Sequence, residues 1–200
     1  MKGKTHAGIG ASAFLLICDK VPGKFNAIGL IMVMFASLIP DIDHPKSIIN
    51  KYILPFKNKK TKTVIYSCLG LTVLWLDYLY VGEPALKALG ITFIFISLSS
   101  HRNGLTHSLV GMIIFTLIAG YIGKVYHVNN VVYYFMIGYG MHLICDMCTK
   151  MGVPLFYPFI KKKYKFPLTY KVSSKSGNLL EDFLMIIGIV YTIYRLPGIL

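Results

Sequence analysis

The chain has 200 residues, of which 55% are hydrophobic and only 14% are charged. That charged share is about half of the share found in soluble domains, and a protein of this length cannot bury so much apolar surface inside itself. Composition therefore excludes an ordinary soluble enzyme and predicts an all-α integral membrane protein, because a bilayer accepts apolar surface. The length suits a single membrane-embedded helical domain over residues 1–200.

The predicted helices follow from seven apolar segments, at roughly 7–19, 25–40, 63–80, 85–100, 107–123, 131–148 and 179–196. Several are shorter than the about 20 residues of a full crossing, so we expect a bundle of about six or seven short transmembrane or interfacial helices. The first segment imitates a signal peptide, but it lacks a small-residue cleavage site and is predicted to be retained. Long loops are predicted at about 41–62 and 149–178; the second mixes aromatic residues with lysines, which suits the level of the lipid headgroups.

The net charge of +13 is concentrated in a few stretches. Lysines gather within 46–62 and 150–175, between apolar segments, as in cytoplasmic loops that face an anionic leaflet. Nucleic-acid binding would also explain a basic chain, but these stretches contain no known nucleic-acid motif. We therefore expect an anionic membrane surface as a partner, and no nucleic acid.

The distribution of basic residues also predicts the topology. If Met1 lies inside and the segments alternate, the N-terminus and the loops at 41–62, 101–106 and 149–178 lie on one side. These regions hold 16 of the 21 Lys and Arg residues. The positive-inside rule then favours a cytoplasmic N-terminus and an external C-terminus, in a multi-pass protein of the plasma or inner membrane.

The same alternation places most of the histidines and carboxylates at the cytoplasmic end. Five of the six histidines fall there, and only His127 falls on the other side. Such side chains are costly near a membrane and mark functional sites. Imidazole and carboxylate groups together form a ligand set for zinc, manganese or iron. The predicted metal ligands are His6, Asp41, Asp43, His44, His107, His142 and Asp146.

The spacing within these groups supports a metal site. His142 and Asp146 are four residues apart and share one face of a helix. Asp41, Asp43 and His44 lie within one turn that flanking prolines stiffen. We expect a divalent ion, with zinc favoured and manganese or iron as alternatives, and the ligands suffice for two ions. A metal-bound water, with its pKa lowered toward about 7, would be the nucleophile.

These residues also have a structural interpretation, and the sequence leaves both open. His6 suits an interfacial position near a helix start, and residues 41–44 suit a solvated loop. His101 and His107 are placed to cap helix ends. Glu181 would be favoured at a helix N-terminus by the helix dipole alone.

The four cysteines are predicted to be free thiols, because they lie inside apolar segments and no loop-based disulfide framework is present. Cys145 and Cys148 have the spacing of a redox or zinc pair, although a single such pair also suits ordinary helix packing.

Several motifs occur in order along most of the chain: Thr5-His6-x-x-x-Gly10, Pro40-Asp41-x-Asp43-His44-Pro45, His101-Arg102-x-x-x-Thr106-His107-Ser108, His142-x-x-x-Asp146-x-x-Thr149 and Gly177-x-x-x-Glu181. In this pattern the chain resembles the YdjM-like family of membrane-bound metal-dependent hydrolases. The resemblance implies a membrane-embedded metal site built from these histidines and carboxylates, and it implies a hydrolase.

We therefore expect a hydrolase that cleaves a phosphoester bond of a lipid or lipid-linked substrate at the cytoplasmic membrane face. His101, Arg102 and Glu181 are the predicted catalytic residues. His101 would act as general base, and Arg102 would hold the phosphate through its planar fork.

Two other functions remain open from the sequence. The first is a non-enzymatic metal-binding membrane regulator or carrier, although a carrier would place polar groups near the midplane. The second is a metal-free lipid phosphatase with a histidine nucleophile. His142 and Asp146 suit its last motif, but its lysine-rich and Pro-Ser-Gly-His elements are missing.

Overall fold

The computed structural model describes residues 1–99 and 104–199. Within these residues the chain is all α, with two isolated β-bridges and no strand. The helices are α1 (Gly3–Ile17), α2 (Ala27–Ala36), α3 (Asn50–Ile53), α4 (Lys59–Leu76), α5 (Pro84–Leu98), α6 (Leu109–Val125), α7 (Val131–Met147) and α8 (Lys175–Arg195). Helix α3 is a single turn, and the other seven helices correspond one to one to the seven apolar segments. The predicted all-α bundle is confirmed.

Two helices begin earlier in the chain than their hydrophobicity predicts, because polar residues cap their N-termini. The side chain of Asn58 accepts a hydrogen bond from the backbone N–H of Thr61, so α4 begins at Lys59 rather than at 63. Ser174 caps α8 in the same way, before the predicted start at 179. In both helices the first turn is polar, so the apolar segment of the sequence does not include it.

Helix α2 ends earlier than predicted. It stops at Ala36, and a 3-10 turn from Ile39 to Asp43 follows. Pro40 lies in this turn, and proline cannot supply the N–H that a continuing helix needs. The early stop leaves the carbonyl of Ser37 outside the helix ladder, where another element can use it.

Helix α7 lies at the centre and packs against α1, α2 and α6, while α8 packs on α1. Helices α4 and α5 form a pair, joined through a π turn at Asp77–Val81, and they contact the rest of the bundle mainly through α5 and α6. Two close approaches require glycine. A Cβ at Gly10 would collide with the hydroxyl of Ser37, and one at Gly138 would collide with the carbonyl oxygen of Val33.

The outside of the bundle is apolar. The exposed side chains of α8 include Phe183, Ile186, Val190 and Ile193. In the described part of the chain, one helix, from Lys59 through the π turn to Val81, is long and apolar enough to cross a membrane alone; α5, α6 and α7 are apolar but shorter. Only 17% of the most apolar stretch of that long helix is buried. A core helix of a soluble protein would be mostly buried, so this surface suits contact with lipid.

One end of the bundle gathers the starts of α1, α4, α6 and α8 and the ends of α2, α5 and α7. The amino group of Met1, for example, contacts Asp146 at the end of α7. The two lysine-rich loops, which precede α4 and α8, lie at this end as well. At the opposite end, Arg195 pairs with Asp19.

Candidate metal centre

Asp146, in the last turn of α7, lies at the centre of a buried polar cluster and contacts four of its groups. Its Oδ1 lies 3.0 Å from the amino nitrogen of Met1 and 3.4 Å from Nε2 of His6. Its Oδ2 lies 3.4 Å from Nε2 of His107 and 3.6 Å from Nε2 of His142. Three imidazoles from three separate segments thus converge on one carboxylate, as a metal site requires.

Asp41 closes the cluster on the side that faces solvent. Its Oδ1 lies 3.6 Å from Nε2 of His107 and 3.9 Å from Nε2 of His142. The side chain of Asp41 is 15% exposed, whereas the three histidines and Asp146 are fully buried. Burial alone would raise the pKa of Asp41, but the imidazoles of His142 and His107 hold it below its usual value. Because Asp41 is the partly exposed member of the cluster, it connects the buried groups with the surface.

Two overlapping groups of side chains within this cluster can hold a metal ion. One consists of His6, Asp41 and His142, and the other consists of His107, His142 and Asp146; within each, the ligand atoms lie within 4.8 Å of one another. Both ring nitrogens of His6 and Nε2 of His142 are buried, and among the described residues none has a hydrogen-bond partner. Buried polar atoms are normally satisfied, so the donor set fits a divalent cation.

A hydrogen bond to the backbone orients His142. Its Nδ1 lies 2.7 Å from the carbonyl oxygen of Ser37, just beyond the end of α2. A carbonyl can only accept a hydrogen bond, so Nδ1 carries the proton and the lone pair of Nε2 points into the cluster. The early end of α2 and the glycine contact at Gly138 together bring this carbonyl within reach.

A hydroxyl relay orients His107. Thr106 Oγ1 donates to Asp43 at 2.8 Å and lies 3.2 Å from Nδ1 of His107. Because the single hydroxyl proton goes to Asp43, the hydroxyl oxygen accepts from Nδ1–H, and Nε2 of His107 faces the cluster. The phenol of Tyr139 donates to the carbonyl of Thr106 at 2.6 Å and fixes the relay to α7.

The predicted ligands Asp43 and His44 lie beside the metal-capable groups of the described residues, not in them. Asp43 is buried and receives the Thr106 hydroxyl. His44 is half-buried and lines an open cleft. Asn50 secures this turn, since its amide donates to the carbonyls of Ile42 and His44 at 2.8 and 2.7 Å.

Glu181, predicted to be catalytic, lies outside both groups in the described structure and joins three elements. Its carboxylate accepts from the backbone N–H of Lys2 at 3.1 Å and from the hydroxyl of Thr5 at 3.3 Å. It also accepts from the hydroxyl of Tyr170 at 3.2 Å. Burial, and then the charge of Glu181, raise the pKa of Tyr170. Tyr170 belongs to the 149–178 loop, which the bridge between Thr149 and Tyr170 folds back beside α7.

The other two predicted catalytic residues, His101 and Arg102, lie outside the described residues. Sequence reasoning also missed a neighbouring residue, Lys62. Its buried Nζ donates to the carbonyls of Ile96 and Ser99 at 2.8 and 2.7 Å and holds the end of α5, next to this segment. The available signal was the position of Lys62, the last lysine of the 46–62 stretch, directly before an apolar segment.

An open cleft of about 690 Å³ lies over Asp41. Its lining includes His44 and four lysines: Lys2, Lys4, Lys46 and Lys51. The cluster therefore has a route to solvent, and that route is basic.

The four cysteines all lie in the described part of the chain and are free thiols. The prediction of free thiols is confirmed. Cys145 is buried and Cys148 is half-buried, and neither belongs to a metal-capable group of the described residues.

An all-α bundle with an apolar exterior and a His/Asp cluster at one end defines a class of membrane protein with a candidate metal centre. The sequence pattern of the YdjM inner membrane protein family matches residues 1–198, so the chain belongs to this family. It is similar to the inner membrane protein YdjM of Escherichia coli (strain K12) and to that of Shigella flexneri, with 30% identity over 161 residues in each case. These alignments cover 78% of the chain and 61% of each relative, so the chain spans about three fifths of their length. No solved structure is significantly similar. The predicted family and the inner-membrane location are confirmed.

Proposed function

We propose that the protein is a metal-dependent hydrolase that cleaves a phosphoester of a lipid or lipid-linked substrate at the cytoplasmic membrane face. One observation carries the proposal: buried ring nitrogens of His6 and His142, which have no hydrogen-bond partner among the described residues, converge with two carboxylates beneath an open, basic cleft. A metal-dependent hydrolase needs ligands that converge on the ion and a route for its anionic substrate, and both features are present here.

His6, Asp41, His107, His142 and Asp146 would hold the ion. Zinc suits this nitrogen and oxygen set best, and manganese or iron would also be accepted. A bound divalent ion would supply Lewis acidity to a phosphoryl oxygen and to water. Both groups use His142, whose Nδ1 is engaged by Ser37, and one remaining nitrogen binds one ion. The geometry thus favours one ion, and a second would need further ligands such as Asp43 or His44.

Other steps, namely substrate orientation, phosphate binding and proton transfer, would fall to side chains of the protein. Asp41, at the boundary between cluster and cleft, would orient the reacting group toward the buried ligands. The cleft lysines would attract the phosphate. His101 as general base and Arg102 as phosphate ligand remain predictions from the sequence.

Metal analysis of the purified full-length protein tests the proposal. We expect about one ion per chain, because one imidazole nitrogen serves one ion, and His142→Ala should lose most of it. His127→Ala is the matched control, since His127 is exposed and no part of the cluster. Turnover of phospholipids with added zinc or manganese tests catalysis. Full metal content in His142→Ala, or no turnover at any metal concentration, would count against the enzyme.

A metal-binding regulator is the second candidate, and one observation favours it. His6, His107, His142 and Asp146 are fully buried, as the ligands of a structural ion are. A regulator would bind metal in the same stoichiometry and hydrolyse no phosphoester, so the paired measurements of metal content and turnover separate the two functions.

A further inference from the structure

The cleft over Asp41 has a lining with one dominant sign of charge. We name it the lysine cleft and define it by Lys2, Lys4, Lys46 and Lys51, which line it together with Asp41. Two of these lysines come from the start of α1, one from the loop after the 3-10 turn, and one from α3. The fold thus brings together cations that are up to about fifty residues apart in the chain.

The positive charge of the lysine cleft exceeds what its described lining can neutralise. Asp41 is the one carboxylate among these lining residues, and its Oδ1 faces His107 and His142 rather than the lysines. If a divalent ion joins the cluster, its charge is offset by Asp41 and Asp146. The four ammonium groups are then left to attract an anion from outside the protein.

The same charge distribution disfavours a cationic headgroup. An ethanolamine or choline group would meet four ammonium groups and no free carboxylate among the described lining residues. Like charges held in the same cleft repel each other. Apolar lining residues, Ile48, Met151 and Val172, are left to contact the less polar part of a lipid.

We propose that the lysine cleft is a phosphate-binding subsite that selects lipids whose headgroup is an anionic phosphate without an ammonium group. Phosphomonoester and diphosphate lipids belong to this class, and zwitterionic phospholipids do not. The inference rests on the proposed function, because it places this subsite beside the group that would be hydrolysed. Lysine binds phosphate as a mobile point charge, so the subsite selects charge rather than a single headgroup shape.

Equilibrium binding to lipid in mixed micelles tests the subsite without any turnover. The full-length protein in detergent is titrated with phosphatidylcholine mixed micelles that contain either phosphatidic acid or phosphatidylethanolamine. The cleft variant is Lys46→Gln with Lys51→Gln. The matched control is Lys57→Gln with Lys60→Gln, which removes two exposed charges from the same predicted loop but none from the lysine cleft.

We expect the wild-type protein to prefer phosphatidic acid. The cleft variant should lose about tenfold in affinity for it, the size expected for charge-assisted contacts, and the control should retain wild-type affinity. An equal loss in both double variants would reduce the effect to general surface charge and would overturn the proposal. An unchanged cleft variant, or equal affinity for the two lipids, would overturn it as well.

Soluble competitors identify the source of the phosphate. If glycerol 3-phosphate displaces phosphatidic acid and glycerol does not, the subsite recognises phosphate. If inorganic phosphate displaces phosphatidic acid at concentrations far below those at which phosphatidic acid itself binds, the subsite would be assigned to free phosphate. That result would overturn the proposed class of lipids.

The subsite and the hydrolase can fail separately. His142→Ala should lose metal yet still bind phosphatidic acid through the lysines. Lysine-dependent binding without hydrolysis by the wild type would leave the subsite and remove the enzyme. Hydrolysis that is indifferent to the headgroup and to the cleft variant would leave the enzyme and remove the subsite.

Discussion

At the scale of single residues, hydrogen bonds at the remote ring nitrogens decide what the central histidines can do. Nδ1 of His142 contacts the Ser37 carbonyl, and Nδ1 of His107 contacts the Thr106 hydroxyl. Both arrangements direct Nε2 toward Asp146. Partners of this kind fix the tautomer and raise the basicity of a metal-binding histidine.

The hydroxyl of Thr106 should therefore contribute to metal binding without touching the ion. Thr106→Val keeps the shape of the side chain and removes the link between Asp43 and His107. We expect zinc affinity to fall about 10- to 100-fold, as for other partners of metal-binding histidines, with no change in helix content. Titration against a competing chelator measures the affinity. Thr106→Ser keeps the hydroxyl and should bind as the wild type does; wild-type affinity in Thr106→Val would contradict the relay.

We expect Glu181 to contribute mainly to the stability of the fold rather than to catalysis. Glu181→Ala removes the acceptor for Lys2, Thr5 and Tyr170, so we expect the free energy of unfolding to fall by about 1–3 kcal/mol. Glu181→Gln keeps one acceptor oxygen and should lose less. Thermal unfolding in detergent measures both. If both variants were as stable as the wild type but inactive in the turnover assay, the catalytic role predicted from the sequence would be supported instead.

At the scale of elements, the contact between α2 and α7 positions the carbonyl that orients His142. It depends on Gly138, where a Cβ would meet the carbonyl oxygen of Val33. Two residues on, a Cβ at Gly140 would have its nearest neighbour, the sulfur of Met112, at 3.9 Å. The same helix thus offers one glycine that packing requires and one that it does not.

Gly138→Ala should consequently destabilise the protein and weaken metal binding at the candidate site together. Overpacking of a tight contact costs about 1–3 kcal/mol, and separation of the helices would lengthen the contact between Ser37 and His142. Thermal unfolding and zinc titration report the two effects. Gly140→Ala is the control and should leave both unchanged. Equal behaviour of the two variants would show that the α2–α7 contact does not govern the site.

At the scale of the whole molecule, the cluster, the lysine cleft and the lysine-rich loops share one end of the bundle. A bilayer favours such an arrangement, since polar groups concentrated at one interface need not enter its apolar interior. The proposed orientation puts this end in the cytoplasm, where anionic lipid is available to basic loops.

Labelling of single cysteines checks this orientation. In a chain whose four native cysteines are replaced by serine, Lys57→Cys and His127→Cys mark the two ends at exposed positions. A membrane-impermeant thiol reagent should modify His127→Cys in intact cells, and Lys57→Cys only after permeabilisation. The reverse pattern would place the cluster outside the cell.

Much of the fold followed from local properties. Apolar segments predicted the seven longer helices, and the errors fell at their ends, where Asn58, Ser174 and Pro40 act through single hydrogen bonds. The members of the candidate site were harder to predict from local properties. Asp41 and Asp146 were predicted as ligands and lie in the metal-capable groups, whereas Asp43 and Glu181 face Thr106 and Lys2. All four are acidic residues near a helix end, and nothing local distinguishes them.

By itself, the sequence determined that the chain is a helical membrane bundle, and it predicted that five of its six histidines and several carboxylates lie toward one end. Hydropathy, lysine bias and the alternation of helices are sufficient for those conclusions. Only the tertiary structure decided which carboxylate oxygen faces which imidazole nitrogen. That choice depends on separations of a few ångströms between helices, and these separations are set by contacts such as Gly138 against Val33, between residues about a hundred positions apart.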